Sequence, residues 1–159
     1  MEDETPGRSA FAHAVPVRIR DIDFAGHAHH SAALLYFEEA RAAYWRSIAG
    51  QVGDLAEVGY VLGAVGVRYR ERILYPDTLT VTVRVVHLGR KHFEMEYDVH
   101  TRDGSLAVTG TSTQVMYDYR EGEAVPIPDR IRTALTRQDG PFDRHPAPRS
   151  TALGPDATG

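Results

Sequence analysis

The sequence predicts an α+β domain in which one long, mostly buried helix is cradled by a curved antiparallel sheet. Two observations carry that prediction. Apolar residues recur at helical spacing from Ser31 to Ile48, and from Val61 onward the period switches to two. The segments of period two are joined by short links, which favour antiparallel pairing. A helix that is apolar over so much of its girth needs a sheet to cover it.

The elements follow in order. Residues 1–13 lack periodicity and read as a loose arm ahead of a domain spanning 14–137. Val15–Arg20 alternates apolar and other residues, a short strand with Pro16 near its start or on an edge. Asp21–His30 follows neither period and is a loop. Ser31 suits a helix N-cap and Gly50 a C-terminal stop. Between them Ala33, Phe37, Ala40, Tyr44 and Ile48 share one face, while Glu38, Glu39, Arg41 and Arg46 supply a polar side. Gln51–Gly59 reads as a loop. Val61–Leu74 reads as one long strand bent near Gly63 or Gly66, and Tyr75-Pro76-Asp77 as a turn. Two alternating runs follow, Leu79–Val85 and Phe93–Val99, separated by a break at Gly89. Asp103-Gly104 is a hairpin signal, and Leu106–Tyr119 continues as a strand with Gly110 as a bulge. Asp129–Arg137 reads as a short helix. Residues 138–159, rich in Pro, Gly and small polar side chains, read as a disordered tail. There is no internal repeat and no sign of a second domain.

Bulk properties narrow the function. A chain of 159 residues with 42% hydrophobic residues can build its own core. The net charge of −4 gives no support for a nucleic-acid footprint. There is no cysteine, so disulfides, thiolate metal ligands and a cysteine nucleophile are excluded within the chain. Met1–Pro6 is acidic and polar, unlike a secretory signal, and no apolar run is long enough to span a bilayer. No membrane insertion is expected, and the cytoplasm is the expected compartment.

Asp21–His30 is the segment with chemistry in it. It sets carboxylates and imidazoles beside a helix N-terminus, whose free backbone N–H groups and partial positive charge can hold a developing oxyanion. A carboxylate there can attack a carbonyl or activate water. Acyl transfer and small-anion binding both fit. So does a plain helix cap or loop closure by Asp23, since Asp is common in such turns.

The stretch Arg20-Asp21-Ile22-Asp23-Phe24-Ala25-Gly26-His27, then Leu35-Tyr36-Phe37-Glu38-Glu39-Ala40-Arg41, resembles the D-x-x-G and YFEEAR signature of hotdog-fold acyl-CoA thioesterases. The likeness is to the 4-hydroxybenzoyl-CoA thioesterase (YbgC/FadM-like) family. It continues through Tyr69–Asp77, Val86–Lys91 and the Asp103-Gly104 turn, covering roughly 14–135. The resemblance implies a hotdog fold and hydrolysis of an acyl-CoA or acyl carrier protein thioester. It implies Asp23 as the catalytic carboxylate and a backbone N–H near His30 as the carbonyl-polarising donor, with His30 itself a candidate for water or leaving-group chemistry. Gly26, His27 and Ser31 are the expected substrate contacts around the helix start. Arg90 and Lys91 are the expected clamp for coenzyme A phosphates, against the alternative of an exposed basic turn. Phe24 and Tyr36 are expected to shape the acyl pocket. No metal or redox cofactor is implied; coenzyme A enters as part of the substrate. A homodimer or homotetramer with sites at subunit boundaries is implied. The chain departs from one branch of the family in carrying His29 and His30 where two asparagines are usual.

Other readings stay open. One of Glu38 and Glu39 is the runner-up base, Asp21 reads as structural or exposed, and the three histidines with Asp21 and Asp23 form a minority metal reading, without H-E-x-x-H spacing. A hotdog hydratase or dehydratase would consume an enoyl-CoA without releasing thiol, and an acyl-CoA sensor would bind without turnover.

Overall fold

The structure, a computed structural model, describes residues 10–52 and 58–142. The expectations for residues 1–9, for the middle of the 51–59 loop and for the tail beyond 142 lie outside the described residues.

The chain runs β1 (Phe11–Pro16), a 3-10 turn (Ile19–Asp21), α1 (Ala32–Val52), β2 (Val58–Tyr69), β3 (Thr78–Leu88), β4 (His92–His100), β5 (Leu106–Asp118), β6 (Glu123–Ala124) and α2 (Asp129–Asp139). The strands form one antiparallel sheet in the order β1-β3-β4-β5-β2. The short β6 pairs with the end of β5 through Tyr117 and Asp118. This is the expected α+β architecture.

α1 lies on one face of the sheet. Its predicted inner residues Ala33, Phe37, Ala40, Tyr44 and Ile48 are all buried. They meet Leu79, Val81, Val83 and Val85 of β3, and Phe93, Met95, Tyr97 and Val99 of β4, each alternating inward as a pleated strand requires. α2 closes one end. Its Ile131, Ala134 and Leu135 are buried, and the Asp139 carboxylate accepts from Tyr44 Oη at 2.6 Å and from the Val85 N–H at 2.8 Å.

Several elements differ from the sequence reading, each for a local reason. The first strand is Phe11–Pro16 rather than Val15–Arg20, so the expected arm is already sheet from Phe11. The alternation through Val17 and Ile19 is misleading. After Pro16 the Asp21 carboxylate accepts the Arg18 N–H at 2.8 Å, the backbone curls, and Ile19 ends up exposed. β2 stops at Tyr69 because the Arg70 and Glu71 N–H groups both turn to the Ala107 carbonyl. It pairs with β5 rather than with its sequence neighbour β3. Gly63 sits at a register shift in β2, as a bend there requires. Gly110 does not make a bulge; pairing runs through it on both sides. A Cβ at Gly110 would fall 2.3 Å from the Phe37 ring, so the glycine is there to admit that ring. Gly50 lies inside α1, which runs to Val52. The β4–β5 connection spans Thr101–Ser105, with Gly104 at φ +90°. α2 runs two residues past Arg137, to Asp139.

Candidate active site

The loop between the 3-10 turn and α1 is built from its own backbone. The Asp23 carbonyl accepts the Gly26 N–H at 3.0 Å, and Asp23 Oδ1 accepts the Ala25 N–H at 2.8 Å. Gly26 adopts φ +84°, a conformation that a side chain would strain. The Asp23 N–H then reaches the His27 carbonyl at 3.1 Å, and the Ala28 N–H reaches the Ile73 carbonyl at 2.8 Å. The segment after β2 is thereby tied to the loop, with Ile73 buried beneath it.

Asp21 is the loop's anchor. Nearly fully buried, its Oδ2 accepts from Tyr36 Oη at 2.9 Å as well as from the Arg18 N–H, and its carbonyl accepts the His29 N–H at 2.7 Å. Burial, reinforced by the Asp21 carboxylate, holds the Tyr36 phenol well above its ordinary range, so it stays a donor.

α1 begins at Ala32, so Ser31 stands at the expected N-cap position and its carbonyl accepts the Leu34 N–H at 3.2 Å, while His29 supports the turn before it. The His29 carbonyl accepts the Ala32 N–H at 2.8 Å, and its Nδ1 faces the Ser31 N–H at 3.2 Å and Ser31 Oγ at 2.8 Å. Accepting the backbone N–H makes Nδ1 the unprotonated nitrogen. The His30 ring packs on it at 3.9 Å between centroids. The His30 carbonyl accepts from Tyr69 Oη, which ties the end of β2 to the helix start. The His30 N–H has no partner among the described residues.

A cavity of about 360 Å³ opens at this junction. His27, His29, His30 and Tyr36 line one side, and Tyr69, Arg70, Glu71, Arg72 and Ile73 the other, with Val108 and Ala33 at the base. Of the predicted site residues, the cavity gathers His27, His30 and Tyr36. Asp23, half-buried, belongs to the same loop but does not line the cavity, and neither do the exposed Gly26 and Ser31. Phe24 is fully exposed and does not line this cavity. Glu38 and Glu39 are exposed on α1, away from the cavity. Arg90 and Lys91 lie in the β3–β4 turn, and Lys91 Nζ donates to the Ala124 carbonyl at 2.9 Å. Val108 pairs with Val99 and Val115 with His92, so strand rise alone puts that turn roughly 23 Å from the cavity. The fold of the single chain therefore does not bring Arg90 and Lys91 to the loop. Among the described residues no three His, Asp or Glu side chains group as a metal site.

Sequence reasoning assigned no role to the carboxylate that does line the cavity, Glu71. The Tyr69–Asp77 stretch stood out in the sequence, but its place opposite the loop follows from the Ala28–Ile73 backbone contact, which no periodicity records.

Residues 17–135 match the model of the thioesterase-like superfamily. The chain belongs to that superfamily. Among solved structures, a thioesterase from Thermus thermophilus, complexed with coenzyme A and Zn, is 32% identical with a TM-score of 0.71, over 82% of this chain and 94% of that one. A hypothetical protein from Aquifex aeolicus is 26% identical with a TM-score of 0.69, over 79% and 98%. A DHNA-CoA thioesterase from Staphylococcus aureus shares the fold at 18% identity and a TM-score of 0.70, over 79% and 88%. The thioesterase-like fold of these proteins is the hotdog, and the helix cradled by a sheet described above is its form in this chain.

Proposed function

We propose that the protein hydrolyses an acyl-CoA or acyl carrier protein thioester to the free acid and thiol, with the 4-hydroxybenzoyl-CoA type of thioesterase as its branch. The observation that carries this is the cavity at the α1 N-terminus in a thioesterase-like fold, where His30, whose N–H has no partner among the described residues, lines the wall with His27 and His29. The thioester carbonyl oxygen takes the His30 N–H and the helix dipole as negative charge develops on it. Asp23 either draws a proton from a water that attacks the carbonyl carbon, or attacks it directly to form an acyl-Asp23 anhydride that a water then cleaves to release the acid; in both, the C–S bond breaks and the thiolate leaves and is protonated. Asp23 Oδ2 makes no hydrogen bond with any described residue, which leaves it available for this. His30, which lines the cavity, carries the proton to the leaving thiolate in this reading. The reading includes a homodimer or homotetramer in a cytoplasmic setting. Arg90 and Lys91 fit it as a coenzyme A clamp only across a subunit boundary.

A second reading is favoured by one observation: Glu71, not Asp23, is the carboxylate in the cavity wall. In that version Glu71 activates the water.

Thiol release from a panel of acyl-CoAs, followed with a thiol-reactive dye, separates the two. The chain has no cysteine to contribute background. Asp23→Asn is expected to lower kcat by about 10²- to 10⁴-fold with KM little changed, while Glu71→Gln keeps most activity. Collapse in Glu71→Gln with a healthy Asp23→Asn would install the second reading. No thiol release from any thioester would end both.

A further inference from the structure

The cavity at the start of α1 ends at Ala33 and Val108, and what stands behind that base decides how long an acyl group it holds. Ala33 is on the inner face of α1, and Phe37, four residues on, is the next residue of the same face. Val108 is on the inner face of β5, and Gly110, two residues on, is the next residue of that face. The two walls lead to one place, and the Phe37 ring fills it. A Cβ at Gly110 would fall 2.3 Å from that ring. Tyr97 backs the ring, stacked on it at 4.5 Å between centroids. Neither Phe37 nor Gly110 lines the cavity, so the ring stands as a stop just behind its base.

The ground beyond the ring is polar. Tyr97 Oη and Ser112 Oγ share a hydrogen bond of 2.6 Å, Gln114 Nε2 donates to the same serine oxygen, and Arg41 Nη1 donates to Tyr97 Oη at 3.3 Å. All four side chains are buried. Arg41 Nε and Gln114 Oε1 have no partner among the described residues. A methylene chain pushed past Phe37 would meet these groups and satisfy none of them.

At helix rise, Phe37 stands roughly 10 Å beyond His30, whose N–H is the proposed seat of the thioester carbonyl. Allowing for contact with the ring, that depth takes an extended chain of about six carbons. The cavity volume of about 360 Å³ agrees, being near the lower end for small-molecule sites. We infer that Phe37 is the specificity-determining stop of the acyl pocket, and that the preferred thioesters carry short acyl groups, up to about six carbons long. This rests on the thioesterase reading and adds to it the size class of the acyl group.

The test is kcat/KM for thiol release from acetyl-, butyryl-, hexanoyl-, decanoyl- and palmitoyl-CoA, with circular dichroism to establish that each variant is folded. Wild type is expected to favour butyryl- or hexanoyl-CoA and to lose about 100-fold or more at decanoyl-CoA. Phe37→Leu keeps an apolar core residue but shortens the stop, and is expected to raise decanoyl-CoA relative to hexanoyl-CoA by about tenfold. Ala33→Leu fills the base from the other side and is expected to move the optimum toward acetyl-CoA; it carries the test if Phe37→Leu does not fold. A weakened fold lowers all five substrates together, whereas a changed stop moves the optimum. The inner face of β2 offers an outer route past Val67 and the exposed Val65 and Leu62. Palmitoyl-CoA turned over by wild type as well as butyryl-CoA would show that route in use and overturn the inference, as would folded variants that keep the wild-type profile. Either result leaves thioester hydrolysis standing. No thiol release from any of the five removes the thioesterase reading and this inference with it.

Discussion

The two flanks of α1 receive opposite treatment. Toward β1, β3 and α2 the helix is sealed: Tyr44 and Ile48 are fully buried and the Asp139 carboxylate bolts Tyr44 to Val85. Toward β2 it touches chiefly Tyr60, through Trp45 and Arg41, and stays more open, with Leu34, Leu62 and Val65 exposed and the Arg41 side chain buried. The cavity lies at the N-terminal end of this open side, where Tyr69 meets His30. The difference teaches a division of labour. The sealed flank provides the stability that lets the other flank keep groups a core would reject, such as the Arg41 charge and the His30 N–H, neither of which has a full set of partners among the described residues.

That division can be broken most directly through Phe37, which stacks on Tyr97 at 4.5 Å and fills the space beside Gly110. Phe37→Ala is expected to lose about 3–5 kcal/mol in urea unfolding, enough to unfold most of the chain if its stability is ordinary. Gly110→Ala attacks the same place from the other side. It is expected to cost about 1–3 kcal/mol by overpacking, seen as a lower unfolding midpoint with an unchanged slope. Tyr44→Phe, on the sealed flank, removes a donor from the Asp139 carboxylate and is expected to cost about 1–2 kcal/mol while leaving thiol release intact. A loss of activity larger than the loss of stability would show that the flanks are not separate.

Alkaline titration sharpens the same point. Burial lifts both Tyr44 and Tyr36 well above the ordinary tyrosine range, with Asp139 and Asp21 adding to it. A raised folded-state pKa means the unfolded chain gives up the proton first. Stability is therefore intact below about pH 10 and falls as pH rises beyond that, toward the folded values. Urea midpoints measured from about pH 9 to about pH 11.5 should fall with pH in wild type and fall less steeply in Tyr44→Phe. The smallest effect is expected at Phe24, the loop-tip aromatic in full solvent, where Phe24→Ser should change stability by less than about 0.5 kcal/mol. A larger loss would mean the tip is covered in the assembled protein.

Much of the sealed flank was legible in the sequence. Ala33, Phe37, Ala40, Tyr44 and Ile48 follow from spacing alone, because a period reports which side of a helix faces the core. β3 and β4 follow from alternation for the same reason, whereas alternation misplaced β1 and ran β2 past its end at Tyr69. Sheet order did not follow. Nothing local says that β2 must cross to β5, since that choice is made by Ile73 docking under the loop and by Ala107 taking two N–H groups. The site was legible as a loop and only partly as a geometry. His27, His30 and Tyr36 meet at the cavity, but Glu71 reaches it from a segment distant in sequence. Arg90 and Lys91 looked apt by charge, while their position depends on strand length. Gly110 shows the limit most clearly: a strand glycine signals a bulge or a close neighbour, and only the third dimension says which.

Gly110 and Phe37 have a consequence for anyone who varies this protein. The ring occupies the volume where the missing methyl would be, so the two positions are spelled together. A library randomised at 110 alone should return glycine almost uniformly. One randomised at 110 and 37 at once should recover alanine or serine at 110 only beside a smaller residue at 37, so each position is informative only when read with the other.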